Sequence, residues 1–405
     1  MTDRSHLDRR LGVTDAVVIG LGSMIGAGIF AALSPAAGAA GTGLLIGLAA
    51  AALVAYLNAT STARCAARYP ESGGAYLYGR ERLGAFWGYL AGWGFVVGKT
   101  ASCAATALIV GTYAWPAHAH AVAVVAVVAL TVVNCSGIHK SALATRIIVT
   151  VVLAGLAAAA GLGLAAPSAD FARLAVAGVS VHGVLQAAGL MFFAFAGYAR
   201  IATLGEEVRD PARTIPRAIP LALGIALVVY ATVAVAALGV LGDQGLAHSA
   251  APIADLVRAA GVAEFVPAVR VLAVIAALGS LLSLLLGVSR TVFAMARDHY
   301  LPQQLSAVHA KYRTPLRAEV AVGVVVAVIA GTADITGAIG FSSFAVLVYY
   351  AIANAAAWTL GGRLVPTLGL IGCLVVAFAL PLDALMLGAG VFLVGAVVYA
   401  AGRRG

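Results

Sequence analysis

Charge is what this sequence has least of. Asp, Glu, Lys and Arg together supply 10% of its 405 residues against 62% apolar ones, too few to coat a soluble domain of that length. Cysteine is scarce too: Cys65, Cys103, Cys135 and Cys373 lie within or at the ends of apolar stretches, with no paired spacing. That excludes a disulfide framework and a zinc site and leaves them as small packing residues. There is no His-Glu-x-x-His helix, no Gly-x-Ser-x-Gly elbow and no acidic pair deep in an apolar stretch, so the chemistry of a membrane-embedded hydrolase is missing. Neither a ring of polar groups nor a filter sequence marks a channel, and nothing implies a cofactor or a metal.

What is there instead is apolar sequence in bilayer-length pieces, about 20 residues each. Twelve spans are predicted, at 13–38, 43–65, 85–113, 117–136, 146–166, 184–205, 217–241, 269–292, 316–335, 338–360, 364–380 and 382–401, the ninth and eleventh carrying the weakest signal. The charged start, Met1 to Arg10, precedes a span too long for a cleaved secretory signal, so the first helix is expected to stay. Basic residues resist translocation and gather on the cytoplasmic side. With the N-terminus inside, that side receives Arg64, Arg68, Arg209, Arg213, Arg403 and Arg404 among many others, and the opposite side keeps Arg173, Arg258 and Arg270. Both termini are therefore expected in the cytoplasm, with the chain multi-pass in the cell membrane. The net charge of +9 follows from this loop asymmetry, so the bilayer, and not nucleic acid, is the partner it implies.

Two spans share an irregularity. The first contains Gly22-Ser23-Met24-Ile25-Gly26-Ala27-Gly28-Ile29-Phe30 and the sixth contains Phe193-Ala194-Phe195-Ala196-Gly197-Tyr198. Glycine weakens a helix. A single cluster would mean close helix packing; two, five spans apart, mark an inverted repeat of five helices plus five, with a binding site at the interruptions. A broken helix frees backbone N–H and C=O groups where lipid cannot satisfy them. The positive end of a half-helix suits a carboxylate and exposed carbonyls suit an ammonium group, a match to an α-amino acid.

Lys99 is the one lysine deep within a span. At about 1.5 Å per residue its Cα lies roughly 15 Å from water, beyond the reach of a stem of about 6 Å. It must face the protein interior, as a proton carrier, as a fixed charge near the substrate, or bonded to carbonyls at the break of the first helix. Glu206, Glu207, Arg209, Asp210 and Arg213 follow the sixth span and suit a salt-bridged gate or a solvated loop. His118 and His120 fall in an outer loop, and residues 242–268 suggest a short amphipathic cap over the outer mouth.

Several segments, in order, resemble the amino acid–polyamine–organocation superfamily of permeases. They are the glycine run on the first span; Pro70-Glu71-Ser72-Gly73-Gly74-Ala75-Tyr76; Phe192 to Tyr198; Glu206-Glu207 through Pro211, Arg213 and Pro216; and Ser289-Arg290 through Phe293 to Asp298 and Pro302. The resemblance covers residues 12 to about 357. It implies an all-α, LeuT-like fold of two inverted five-helix repeats, 13–166 and 167–360, behind a tail at 1–12, with two extra helices and a tail in 361–405.

By that analogy the amides of Ala27 and Gly28 bind the substrate carboxylate, and the carbonyls of Met24, Phe193 and Ala196 face its amino group. Ile25, Gly26, Gly197, Tyr198 and Ser342 complete the lining, with Ser343, Ser280 and Ser283 as weaker candidates. Phe193 is the aromatic gate, with Arg200, Glu206 and Glu207 as further gate residues. Where many relatives carry an acid after the Gly-aromatic pair of helix six, this chain has Ala199 and Arg200; where proton-coupled relatives place a lysine on helix five, it has Leu153 or a neighbour. Lys99 is then the coupling candidate. The expected activity is alternating-access transport of a neutral amino acid, as proton symporter or exchanger, with a cationic amino acid or polyamine permease, or a non-transporting sensor, as the competing readings.

Overall fold

The computed structural model describes residues 11–69, 73–136, 142–176, 178–202, 208–309 and 314–402. They form helices throughout, with a lone bridge between Leu11 and Val208 as the extended pairing recorded among them. The first span is three helices in file, α1 (Val13–Met24), α2 (Gly28–Ala31) and α3 (Leu33–Ala40), with Ile25, Gly26 and Ala27 non-helical between the first two. α4 (Leu44–Arg68), α5 (Ala75–Leu83), α6 (Ala85–Ala114), α7 (Ala119–Cys135) and α8 (Ala142–Leu164) follow. The sixth span is α9 (Val181–Phe195), a 3₁₀ turn at Ala196–Tyr198, and α10 (Ala199–Ala202). After it come α11 (Pro211–Ala247), α12 (Pro252–Ala259), α13 (Val266–Arg297), α14 (Leu316–Thr332), α15 (Ile335–Trp358), α16 (Leu364–Phe378) and α17 (Leu382–Gly402).

Each predicted span coincides with one of these helices or helix series. Among the described residues ten are long and apolar enough to cross a membrane. The other two are α14, of 17 residues, and α16, of 15, the places where the apolar signal was weakest. α11 begins at Pro211, six residues before the predicted 217, because proline at the first helical position needs no N–H partner and carries a helical φ. The expected cap within 242–268 contains α12, with Ile253, Leu256 and Val257 buried against the helices below and Asp255 ion-paired to Arg258 on the other face.

Burial sorts the helices. α6 is enclosed on nearly every side, packed against α13 and α15 by a run of small residues from Ala101 to Ala105. α7 and α17 keep most of their surface outward. Val151, Val228, Val271, Val324, Phe378 and Leu382 point away from the protein, which only a hydrocarbon solvent makes favourable in this number. The short α16 is docked by buried polar contacts: Asn354 donates to Asn58 Oδ1 at 2.7 Å and the Cys373 thiol to the same oxygen at 3.1 Å, joining α4, α15 and α16.

Membrane helices approach closely where side chains vanish. At Gly111 on α6 an added Cβ would lie 2.0 Å from the Ala119 carbonyl oxygen, at the turn into α7. Gly111→Val is expected to destabilise by about 1–3 kcal/mol through overpacking, read as a lower melting temperature of the solubilised protein. Gly161→Ala is the control, since its Cβ would meet nothing within 4 Å, and it should leave the melting temperature unchanged or slightly raised.

Candidate functional site

The two interrupted helices cross at their interruptions. A Cβ on Gly28 would sit 2.3 Å from the Cα of Ala194, and one on Gly197 would sit 2.3 Å from the Ser23 carbonyl oxygen and 2.6 Å from the Met24 nitrogen. Each break is thus pressed against the backbone of the other helix, with glycine on one side of each contact. Gly26 faces α13, where its Cβ would fall 2.6 Å from the Cβ of Ser280 and 3.1 Å from the Ala276 carbonyl. Gly22 belongs elsewhere: it faces Val149 on α8 and serves packing.

The last helical bond before the first break runs from the Ile25 N–H to the Leu21 carbonyl at 2.8 Å. Ala27, at φ −140° and ψ −44°, leaves the helical region and starts the next segment. Among the described residues the Ala27 N–H has no backbone partner, and the Gly28 N–H, at the first position of α2, has none within its own helix. Donors exposed by a break form a place for negative charge. Ile25, Gly26, Ala27 and Gly28 are all buried.

The carbonyls of the breaks meet donors of the protein's own. The Tyr230 hydroxyl, from the middle of α11, lies 2.8 Å from the Met24 oxygen and 3.1 Å from the Ala194 oxygen, so one side chain spans both interrupted helices. The Phe195 ring packs on it at 5.1 Å. Lys99 reaches from α6 to the Ala196 carbonyl, Nζ to O 3.2 Å, which places it at the break of the sixth span and not of the first. Tyr113, on the same helix, donates to the Phe30 carbonyl at 3.0 Å. Lys99 is 6% exposed, and among the described residues no carboxylate forms an ion pair with it.

The remaining predicted residues fall around this crossing. Phe192 and Phe195 are fully buried, the first edge-on to Tyr350 at 6.0 Å, while Phe193 keeps 9% exposure. Tyr198, within the 3₁₀ turn, stacks on Tyr350 at 5.1 Å. Ser342 shares a 2.6 Å hydrogen bond with Ser102 of α6; Ser343 Oγ is buried with no partner among the described residues. Ser283 bonds the Gly279 carbonyl of its own helix, as lone membrane serines do. Arg200 is half-buried on α10, and Glu206 and Glu207 lie outside the described residues. His120 ties α7 to the Ala330 carbonyl of α14 at 2.9 Å, a structural contact.

Two of the sequence motifs also meet. Gly73 and Gly74, both at positive φ, turn the chain into α5, where the Ala75 N–H donates to the Tyr349 hydroxyl at 3.0 Å. From α5 itself the Tyr76 hydroxyl and Arg80 both reach Asp298, at 2.6 and 3.0 Å, joining α5 to the end of α13. Tyr230 and Tyr350 were not expected: Tyr230 is the single aromatic residue of α11, Tyr350 is one of several on α15, and no local pattern announces a partner 206 residues away. The one hydroxyl proton is shared between two buried carbonyls, and its removal leaves them short of a donor, so Tyr230→Phe should cost about 1–3 kcal/mol. A thermal melt of the purified variant measures it, and an unchanged melting temperature would show that the carbonyls find other donors.

Similarity to known proteins agrees with this architecture. Residues 11–399 match the family described as amino acid permease. An uncharacterized transporter of Mycobacterium tuberculosis is 67% identical over 406 aligned positions, covering 98% of this chain and 92% of the relative. A branched-chain amino acid permease of Bacillus subtilis is 30% identical over 76% of this chain and 71% of its own length. A chloroplastic cationic amino acid transporter of Arabidopsis thaliana is 28% identical over 86% of this chain and 65% of its own. With all but the chain's ends inside the match and the membrane helices that such a protein needs, this chain belongs to the amino acid permease family of transporters.

Proposed function

We propose that this permease moves a neutral amino acid across the cell membrane by alternating access, with its substrate at the crossing of the two interrupted helices. The observation that carries the reading is the crossing itself, with the partnerless Ala27 N–H and the Gly28 N–H at the start of α2 set against the backbone of the other interrupted helix. They suit the α-carboxylate, with Ile25, Gly26, Gly197, Tyr198 and Ser342 around it and Phe193 as the lid. In this reading the helices make twelve crossings, with both termini inside and residues 13–166 and 167–360 as inverted repeats that rock about the site.

Lys99 favours a neutral side chain. Two like charges about 5 Å apart repel by roughly 3 kcal/mol at an effective dielectric of 20, so a cationic side chain beside this ammonium is disfavoured. Among the relatives, the branched-chain permease fits that better than the cationic transporter. In the coupling role Lys99 stands in for the lysine that proton-coupled relatives place on helix five.

Gly28→Val should insert normally yet abolish uptake in proteoliposomes, because a branched side chain would displace Ala194 and crowd the carboxylate position. Phe193→Ala should weaken substrate retention, while Phe195→Ala, whose ring packs on Tyr230, should chiefly lower stability. Normal uptake by a well-expressed Gly28→Val protein would remove the site from this crossing.

A separate measurement addresses coupling. Lys99→Met is expected to exchange substrate but to lose uphill accumulation driven by a proton gradient, with a flattened dependence on external pH. Wild-type accumulation and pH profile in that variant would rule out the coupling role.

A further inference from the structure

The site carries its own ammonium. Three carbonyls were expected to receive the substrate's amino group, those of Met24, Phe193 and Ala196. One of them accepts from the Tyr230 hydroxyl at 2.8 Å, and another from Lys99 Nζ at 3.2 Å. A second ammonium at Ala196 would meet the first at contact distance in a dry interior, where like charges repel far more than in water. Two of the three cation-facing carbonyls are occupied from within.

Lys99 also lacks something. It is 6% exposed and has no ion-pair partner among the described residues, and its hydrogen bond goes to a neutral carbonyl. A buried charge without a counter-charge is costly, and inside a membrane it marks a ligand or ion path. The Ala196 carbonyl that holds it adjoins Gly197, which touches Ser23 and Met24 of the other interrupted helix, so Lys99 is bonded to the segment that crosses the first break. Tyr230 already spends its proton on the Met24 and Ala194 carbonyls, so the donors at the crossing are Lys99 from α6 and the amides of the first break.

We propose that the substrate's carboxylate is the counter-ion of Lys99, so that the carboxylate is obligatory and the α-ammonium dispensable. The transported class is then small apolar carboxylates with or without an α-amino group, including 2-hydroxy acids with the side chains of neutral amino acids. Lys99 is the specificity-determining residue. This rests on the reading of the helix crossing as the substrate site.

Thermal shift of the purified protein tests it without a labelled substrate, because a ligand stabilises the state it binds. The probes are alanine, leucine and phenylalanine, the 2-hydroxy acids lactate, 2-hydroxyisocaproate and phenyllactate, and the amines ethylamine, isopentylamine and phenethylamine. For the side chain that fits, the hydroxy acid should act within about tenfold of the amino acid's concentration, and the amine should be at least about a hundredfold weaker. In Lys99→Met the hydroxy acid should lose more than the amino acid, whose own ammonium can take the vacated carbonyl. An amino acid that stabilises while its hydroxy acid does not would overturn the inference and leave the amino acid reading standing. An amine as effective as the amino acid would overturn it too, as would equal losses in the variant. If none of the three amino acids and none of the hydroxy acids stabilised the protein, both readings would fall.

Discussion

The contact on which the rest of this structure depends is the one between two backbones at the centre of the bundle. Gly28 lies on Ala194, and Gly197 lies on Ser23 and Met24, at separations that admit no Cβ. Tertiary packing between helices usually runs through side chains and keeps axes 8–10 Å apart. Here it runs through main chain, so the groups exposed by one break face the groups exposed by the other. A methyl group at either glycine would push the helices apart, and the freed N–H and C=O groups would then lose both their protein partners and their shelter from lipid.

Once the chains touch, satisfying their broken hydrogen bonds falls to long side chains from intact helices. Tyr230 reaches in from α11, and Lys99 and Tyr113 reach in from α6. All three are donors, and all three end on carbonyls. Several acceptors at the interruptions are therefore met by protein, whereas the Ala27 donor is not. This imbalance gives the centre of the molecule a positive character that no acidic side chain among its described neighbours offsets. Enclosure of α6 between α13 and α15 keeps Lys99 dry, which makes that character strong.

How far the sequence speaks depends on whether a feature is local. The spans were readable because hydrocarbon imposes one requirement on every stretch of about 20 residues, and the two weakest, α14 and α16, are weak because they are short. Both breaks were readable because glycine clusters are local as well. Partners were not. That Lys99 points inward follows from its depth, but whether it meets the first or the sixth helix depends on how α6 rotates and tilts between its neighbours, which no window of sequence contains. Tyr230 is harder still: its partners are backbone carbonyls, which leave no trace in residue identity. The glycines read as one run on the first helix turn out to divide their work, Gly22 toward α8, Gly26 toward α13 and Gly28 toward α9.

At the rims, contacts of another kind hold the helices. Arg146 pairs with Asp15 between α8 and α1, and Arg80 with Asp298 between α5 and α13, each at least partly exposed to solvent. Pairs of this sort contribute about 0–1 kcal/mol each, and water takes over their hydrogen bonds when they open. The central crossing has no such replacement, because separating Gly28 from Ala194 uncovers backbone where water is scarce. Stiffness is thus concentrated where the two broken helices meet, and compliance lies in the polar ends. Opening a rim pair therefore costs little, whereas parting the crossing would also take Tyr230 from the Met24 and Ala194 carbonyls.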